Sequence, residues 1–124
     1  MYERIRQAGT KIYSLEAWPN TPCSRYPIEE ILSEFKTDYF TSGLDYAIAL
    51  AIYEGYENID LWGVCLKEGD EYAYQKPSAM FWLGVALGRG MTFKIRDHWS
   101  ELFKHPTGKM YGYGVLIKEQ EFIT

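Results

Sequence analysis

The chain of 124 residues has the length of one domain, and 47% hydrophobic with 17% aromatic residues excludes a generally disordered protein. A formal net charge of −4 argues against duplex nucleic acid as a partner, because phosphate neutralisation supplies most of that affinity. The apolar runs are too short for a bilayer, and two cysteines without a signal peptide predict a cytoplasmic protein that does not bind membranes.

The first third of the chain is predicted to form a strand, a loop and a helix. Residues 11–15 alternate and are rich in β-formers, which favours a strand. Two prolines interrupt residues 16–26, so we expect a loop without regular structure there. Pro27 suits a first helical turn, and apolar residues at spacings of three and four predict a short helix over residues 28–35.

The stretch 39–63 is the centre of the predicted fold. Apolar residues at helical spacing predict a helix over about residues 42–54, capped by the hydroxyls of Thr41 and Ser42. A glycine then ends the helix, and residues 59–64 predict a short buried strand.

The second half repeats the alternation of helix and strand. Apolar spacing over residues 71–87 predicts a second long helix, regular mainly after Pro77 because proline starts or kinks a helix. Residues 91–95 alternate as a third strand. Residues 1–9 are predicted to be a lead-in, and residues 106–124 a flexible or capping tail.

Three strands joined through helices predict an α/β fold: one small Rossmann-like three-layer domain over residues 1–124, with a mostly parallel sheet of three or four strands. Such a small sheet leaves edges that native proteins cover or pair. We therefore expect a homodimer or a higher homo-oligomer.

Three segments carry a resemblance to a known family: DYFTSGLDYAIALAIYEGYENIDLWGV, EYAYQKPSAMFWLGVALGRG and YGYG. They resemble the carboxyl-terminal half of a family of small bacteriophage Rossmann-like proteins, which is similar to DUF115-type and sialyltransferase-like nucleotide-sugar enzymes. The resemblance covers roughly residues 26–113 and implies a nucleotide-type ligand. The chain departs from the family in two respects. It has no GxGxxG turn, and Cys65 stands where the family's strand ends in an acidic residue.

The start of the predicted central helix is one candidate site. The amides and hydroxyls of Thr41 and Ser42 stand at the positive end of the helix dipole and could bind a phosphate or carboxylate. A plain helix cap explains the same residues. Cys65 follows the predicted strand, at the edge where doubly wound folds hold ligands. A buried cysteine that acts as a small apolar residue is the alternative.

The segment after the second predicted strand contains the densest polar and aromatic cluster. Its members are Glu71, Tyr72, Tyr74, Gln75 and Lys76. The tyrosines could stack on a base, Gln75 could pair with an adenine edge and Lys76 could meet a phosphate. A solvated helix start explains the cluster equally well.

Three further residues are candidate ligand contacts. Arg96 follows the third predicted strand and could bind a second phosphate, although a surface charge is the alternative. Trp18 and Arg25 lie in the first loop and are candidate lid residues.

We expect binding of a nucleotide-derived small molecule without turnover, because no complete catalytic set, metal-ligand cluster or cofactor motif can be assembled from the sequence. By analogy with small viral proteins, the chain would sequester a host immune signal in the host cell cytoplasm, as an anti-defence sponge. The signal would be a cyclic ADP-ribose variant or a cyclic oligonucleotide. A shortened nucleotide-sugar transferase or phosphotransferase is the first alternative, and a protein–protein interaction module with a tyrosine-rich surface is the second.

Overall fold

A computed structural model of the chain describes residues 9, 11–20, 22–64, 66, 72–97, 100, 102–103, 105 and 107–114, except for the side chain of Tyr72. Contacts divide the chain into two compact units, residues 1–37 and 38–124. Across the described ranges, no helix is long and apolar enough to cross a membrane.

The first unit contains two very short strands and one helix. Strand β1, Tyr13–Ser14, pairs in parallel with β2, Ser24–Arg25. The prediction that residues 16–26 lack regular structure is therefore wrong at the end of that range. The prolines lie in the connection, and beyond them the amides of Ser24 and Tyr26 donate to the carbonyls of Ile12 and Ser14, each at 2.7 Å.

Helix α1 completes this unit and spans Ile28–Phe35, with Pro27 at its N-cap position. Its one fully buried residue is Ile31. The helix ends where Lys36 adopts a left-handed conformation with φ of 56°, and the Lys36 amide donates to the carbonyl of Leu32 at 2.9 Å.

The second unit is built from two helix-then-strand segments. Helix α2 spans Gly43–Tyr53, β3 Asn58–Leu61, α3 Tyr72–Gly88 and β4 Thr92–Ile95. Strands β3 and β4 are parallel, in a register that runs from Asn58 opposite Thr92 to Leu61 opposite Ile95. Both strands therefore end at the same edge of this sheet.

The strands of the two units do not form one sheet. The structure confirms an α/β chain with parallel strand pairs, but the described strands form two separate two-stranded sheets. The expected sheet of three or four strands is therefore wrong within the described residues, because the predicted first strand pairs with residues 24–25 instead. The Rossmann-like three-layer arrangement and the single domain stay predictions.

Helix α3 is regular before Pro77, whereas the sequence predicts a regular helix mainly after it. The helix starts at Tyr72, close to the predicted residue 71, and continues through Pro77, which removes one helical hydrogen bond because proline has no amide hydrogen. A carbonyl next to this gap accepts a side-chain hydroxyl: the Thr41 hydroxyl donates to the Tyr74 carbonyl at 3.1 Å. This bond connects the helical turn before Pro77 to the segment before α2.

The core of the second unit lies between the helices and one face of the β3–β4 sheet. Its fully or nearly fully buried apolar side chains include Ile48, Ala49, Leu61, Ala79, Trp82, Leu83, Phe93 and Ile95. The indole N–H of Trp82 donates to the carbonyl of Tyr39 at 2.8 Å, so this buried polar atom is satisfied. The ring of Phe40 stacks on Trp82 with centroids 4.9 Å apart.

Candidate functional site

On the other face of the β3–β4 sheet, no described residue covers the strands, and we call it the open face. Side chains alternate along a strand, so residues one position away from the buried ones point to this side. The open face consists of Asn58, Asp60 and Trp62 on the first strand and its continuation, and Thr92, Lys94 and Arg96 on the second. Parallel sheets are normally covered on both faces. An exposed polar face on a parallel pair is therefore a candidate for binding.

Arg96 joins two of its neighbours on the open face. Its Nη2 donates to the carboxylate of Asp60 at 2.9 Å and its Nε at 3.3 Å, while its guanidinium carbon lies 5.8 Å from the ring centroid of Trp62. The Asp60 and Arg96 side chains are 44% and 32% exposed, and Trp62 is 71% exposed. A pair this accessible to water is weak and can exchange partners.

Lys94 lies directly opposite Asp60 in the strand register. Among the residues that the structure describes, Lys94 forms no ion pair. Asn58 and Thr92 make a hydrogen bond to each other at the start of the strands. The open face thus has two cations and one carboxylate, an excess of positive charge on a chain whose formal net charge is −4.

A cavity of about 510 Å³ borders these side chains. It is lined by Asn58, Ile59, Asp60, Leu87, Thr92, Phe93, Lys94 and Arg96. Ligand pockets of small molecules begin at a few hundred Å³ and combine apolar walls with a few polar groups. This cavity has the volume of a small-molecule pocket, and its lining combines apolar and polar side chains.

Two hydrogen bonds with backbone amide donors connect the carboxyl ends of β3 and β4. The amide of Gly63 donates to the carboxylate of Asp97, and the amide of Arg96 donates to the carbonyl of Leu61 at 2.9 Å. Gly63 has φ of +74°, a conformation that favours glycine because other residues carry a Cβ. These bonds fix the edge from which Trp62 and Arg96 project.

The start of α2 differs from its prediction. Ser42 is the N-cap residue, but its side chain makes no capping hydrogen bond, so the predicted hydroxyl cap is wrong. The fully buried carboxylate of Asp45 replaces it: Oδ2 accepts from the amide of Thr41 at 2.8 Å and from the hydroxyl of Ser78 at 2.6 Å. A carboxylate is the stronger acceptor and its charge suits the positive end of a helix.

This Asp45 cluster, formed by Thr41, Asp45 and Ser78, joins the start of α2 to α3. Asp45 Oδ1 is buried and has no hydrogen-bond partner within the described part of the chain. The amide that was predicted to bind a phosphate is already bound by the protein's own carboxylate. A ligand anion at Thr41 and Ser42, which stays a prediction, would have to displace Asp45.

The structure distributes the predicted site residues over several places. Thr41 contacts the carbonyl of Tyr74, whose side chain is about half exposed. The Gln75 carbonyl lies 3.1 Å from the Ser78 hydroxyl oxygen, and Lys76 is half-buried on the same helix. These residues lie on the helical layer, whereas Arg96 projects from the open face.

Two predicted residues belong to the first unit. Trp18 is 58% exposed, and Arg25 forms a bidentate ion pair with Glu29 at 2.6 and 2.7 Å. The Arg25 hydrogen bonds lower the pKa of Glu29 to about 2. The predictions for Cys65 and Glu71 lie outside the described residues, as does the side chain of Tyr72.

Sequence reasoning missed Asp60, Trp62 and Lys94. The signal was the alternation of polar and apolar residues within NIDLW and TFKIR, which puts every second side chain on one face. What the sequence did not provide is the register that sets Asp60 opposite Lys94.

No protein-family model, curated protein or solved structure matches this chain. The relationship to the bacteriophage family therefore stays a prediction, and the site is interpreted from its own geometry. Over the described ranges, no three His, Cys, Asp or Glu side chains lie together in a way that could hold a metal ion.

Proposed function

We propose that the chain binds a nucleotide-type small molecule on the open face of β3 and β4, close to their carboxyl ends. The observation that carries the proposal is the exposed ring of Trp62 with two cations, Arg96 and Lys94, on the same face. An exposed indole offers a surface on which a base stacks. Lysine and arginine are the side chains that bind phosphate.

The spacing along the strands supports a ligand of this size. Alternate residues of a strand lie about 6.6 Å apart, from a rise of about 3.3 Å per residue. Trp62 and Asp60 are one such step apart, and so are Arg96 and Lys94. A base on Trp62 therefore puts the sugar of a mononucleotide near Asp60 and its phosphate within reach of Lys94.

The biological role in this proposal comes from the bacteriophage resemblance. A phage protein that binds a host's signalling nucleotide without converting it lowers the concentration that reaches the host receptor. In that role the chain binds a cyclic ADP-ribose variant or a cyclic oligonucleotide, and homo-oligomer formation would multiply the sites per particle.

The binding test uses purified protein and a mixed pool of cyclic nucleotides, ADP-ribose derivatives and sugar nucleotides. Bound and free fractions are separated and both are analysed by mass spectrometry. We expect intact ligand to be released from heat-denatured protein. A converted nucleotide in the free fraction would indicate the transferase or phosphotransferase instead, and no calorimetric or thermal response to any member would overturn the proposal.

The Trp62→Ala variant tests whether the ligand binds at the ring of Trp62. Loss of one stacking ring weakens base binding by about 1–3 kcal/mol, or roughly five- to 150-fold. Tyr56→Ala is the matched control, since Tyr56 is an exposed aromatic residue of the same unit, 60% exposed against 71% for Trp62. Equal affinity of both variants for the ligand would place the site elsewhere.

A second candidate function, a protein interaction module, is favoured by the outer side of the helical layer. Tyr39, Tyr74 and Phe81 are 39%, 52% and 40% exposed, and the rings of Tyr39 and Phe81 meet edge-on at 5.5 Å. Contiguous exposed aromatic residues mark interaction surfaces. If Phe81→Ser abolished association with a partner while nucleotide binding was unchanged, this surface would have its own function.

A further inference from the structure

We infer that Asp60 discriminates between ligands by their charge: its carboxylate weakens the binding of a doubly charged terminal phosphate to the open face more than the binding of a singly charged phosphodiester. The inference rests on the proposed function, because it concerns the same site. It makes Asp60 a specificity-determining residue, which reduces the advantage that the two cations give to a doubly charged phosphate.

Asp60 is the only acidic side chain among the open-face residues defined above. It is opposite Lys94 in the register and accepts from Arg96 at 2.9 Å. A phosphate that approaches the Arg96 guanidinium therefore comes close to the Asp60 carboxylate. To bond with the Arg96 guanidinium edge, the ligand must share it with Asp60 or displace it.

The cost of this proximity depends on the ligand's charge. Coulomb energy is proportional to the product of the charges, so Asp60 repels a dianion about twice as strongly in free energy as a monoanion. A terminal phosphate has a charge of about −1.5 to −2 at pH 7, because its second pKa is about 6. A phosphodiester has a single charge. The doubly charged group also loses more hydration when it leaves water.

Exposure limits the size of the effect. The Asp60 and Arg96 side chains are 44% and 32% exposed, so water screens their interaction with a ligand. Exposed pairs of this kind change an equilibrium by about two- to fivefold. Removal of Asp60 should then tighten diester binding by about two- to fivefold and terminal-phosphate binding by about the square of that factor, roughly four- to 25-fold.

The experiment is calorimetric titration of the full chain at pH 8 and constant ionic strength. The two probes have the same base and differ in the phosphate: a 3′,5′-cyclic nucleoside monophosphate and the corresponding 5′-monophosphate. The variants are Asp60→Asn and, as a control with the same change in net charge, Asp38→Asn, whose side chain is exposed in the same unit. Thermal melting confirms that each variant is folded.

We expect Asp60→Asn to improve binding of the 5′-monophosphate about two- to fivefold more than that of the cyclic probe. Asp38→Asn should leave both affinities within about twofold of wild type. An unchanged ratio between the probes in Asp60→Asn, or a larger gain for the cyclic probe, would overturn the charge discrimination while the binding site stands. If no variant binds either probe, the proposed function itself fails for mononucleotides.

Discussion

Two carboxylates in the second unit, Asp45 and Asp60, meet hydrogen-bond donors in opposite surroundings. Asp45 is fully buried and joins two helices through the Thr41 amide and the Ser78 hydroxyl. Asp60 is about half exposed and shares its donor Arg96 with solvent and with the ring of Trp62. The buried contact holds the fold together, whereas the exposed contact can be exchanged for a ligand. Burial, more than residue type, therefore separates a structural polar group from a candidate binding group in this chain.

The largest effect is expected at the buried carboxylate. Asp45→Ala leaves the Thr41 amide without its acceptor and the Ser78 hydroxyl with the longer contact to the Gln75 carbonyl at 3.1 Å, and a buried unsatisfied donor costs about 1–3 kcal/mol. We expect the free energy of unfolding to fall by about 2 kcal/mol in urea denaturation.

Asp38→Ala is the control for Asp45→Ala, since it removes an exposed carboxylate at a similar position in the chain. Surface substitutions of this kind change stability by less than about 0.5 kcal/mol. A loss below about 1 kcal/mol for Asp45→Ala would mean that water satisfies both donors, and the contrast between the two carboxylates would then disappear.

The sequence predicts the second unit well where the signal is local. Apolar spacing over 42–54 and alternation over 91–95 gave α2 and β4 nearly to their ends, Gly43–Tyr53 and Thr92–Ile95. The prediction fails where contacts between residues far apart in the sequence determine the structure. The two residues of β2 are a strand only because β1 supplies their partners.

The candidate site has the same limitation. The hydroxyls at Thr41 and Ser42 have the local pattern of a helix cap, but a residue 33 positions from Asp45 completes the carboxylate cluster that replaces it. On the open face, Asp60 and Lys94 become neighbours only through the parallel register. Neither pairing has a signal in a single sequence, because both depend on how the elements pack.

A moderate effect on ligand binding is expected at Lys94, the open-face cation that forms no ion pair with a described residue. Lys94→Gln removes one charge that would meet a ligand phosphate, and binding should weaken by about three- to tenfold, as for one partly exposed charged hydrogen bond. The loss should shrink at high salt because ions screen the wild-type contact. Calorimetry at two ionic strengths measures it.

Lys76→Gln is the matched control for Lys94→Gln, since Lys76 belongs to the predicted ligand cluster on α3 rather than to the open face. Weaker binding by Lys76→Gln, with Lys94→Gln unaffected, would move the phosphate site to the start of α3. That outcome would favour the sequence-based site over the open face.

The smallest effect is expected at the exposed Arg25–Glu29 pair of the first unit, which extends the contrast to a carboxylate whose side chain is 65% exposed. Hydrogen bonds from Arg25 and from the backbone lower the Glu29 pKa from 4.5 to about 2. A lowered folded-state pKa contributes stability above the unfolded-state value, and this contribution is lost as pH falls from about 4.5 through about 2. Solvent screening keeps this contribution to stability small, so the carboxyl chemical shift of Glu29, followed by NMR, is the appropriate measurement.

Arg25→Gln should return the pKa of Glu29 towards the ordinary value of a glutamate. A midpoint near 4.5 already in the wild-type chain would show that the pair does not persist in water, and that even a bidentate contact needs burial to fix a side chain here.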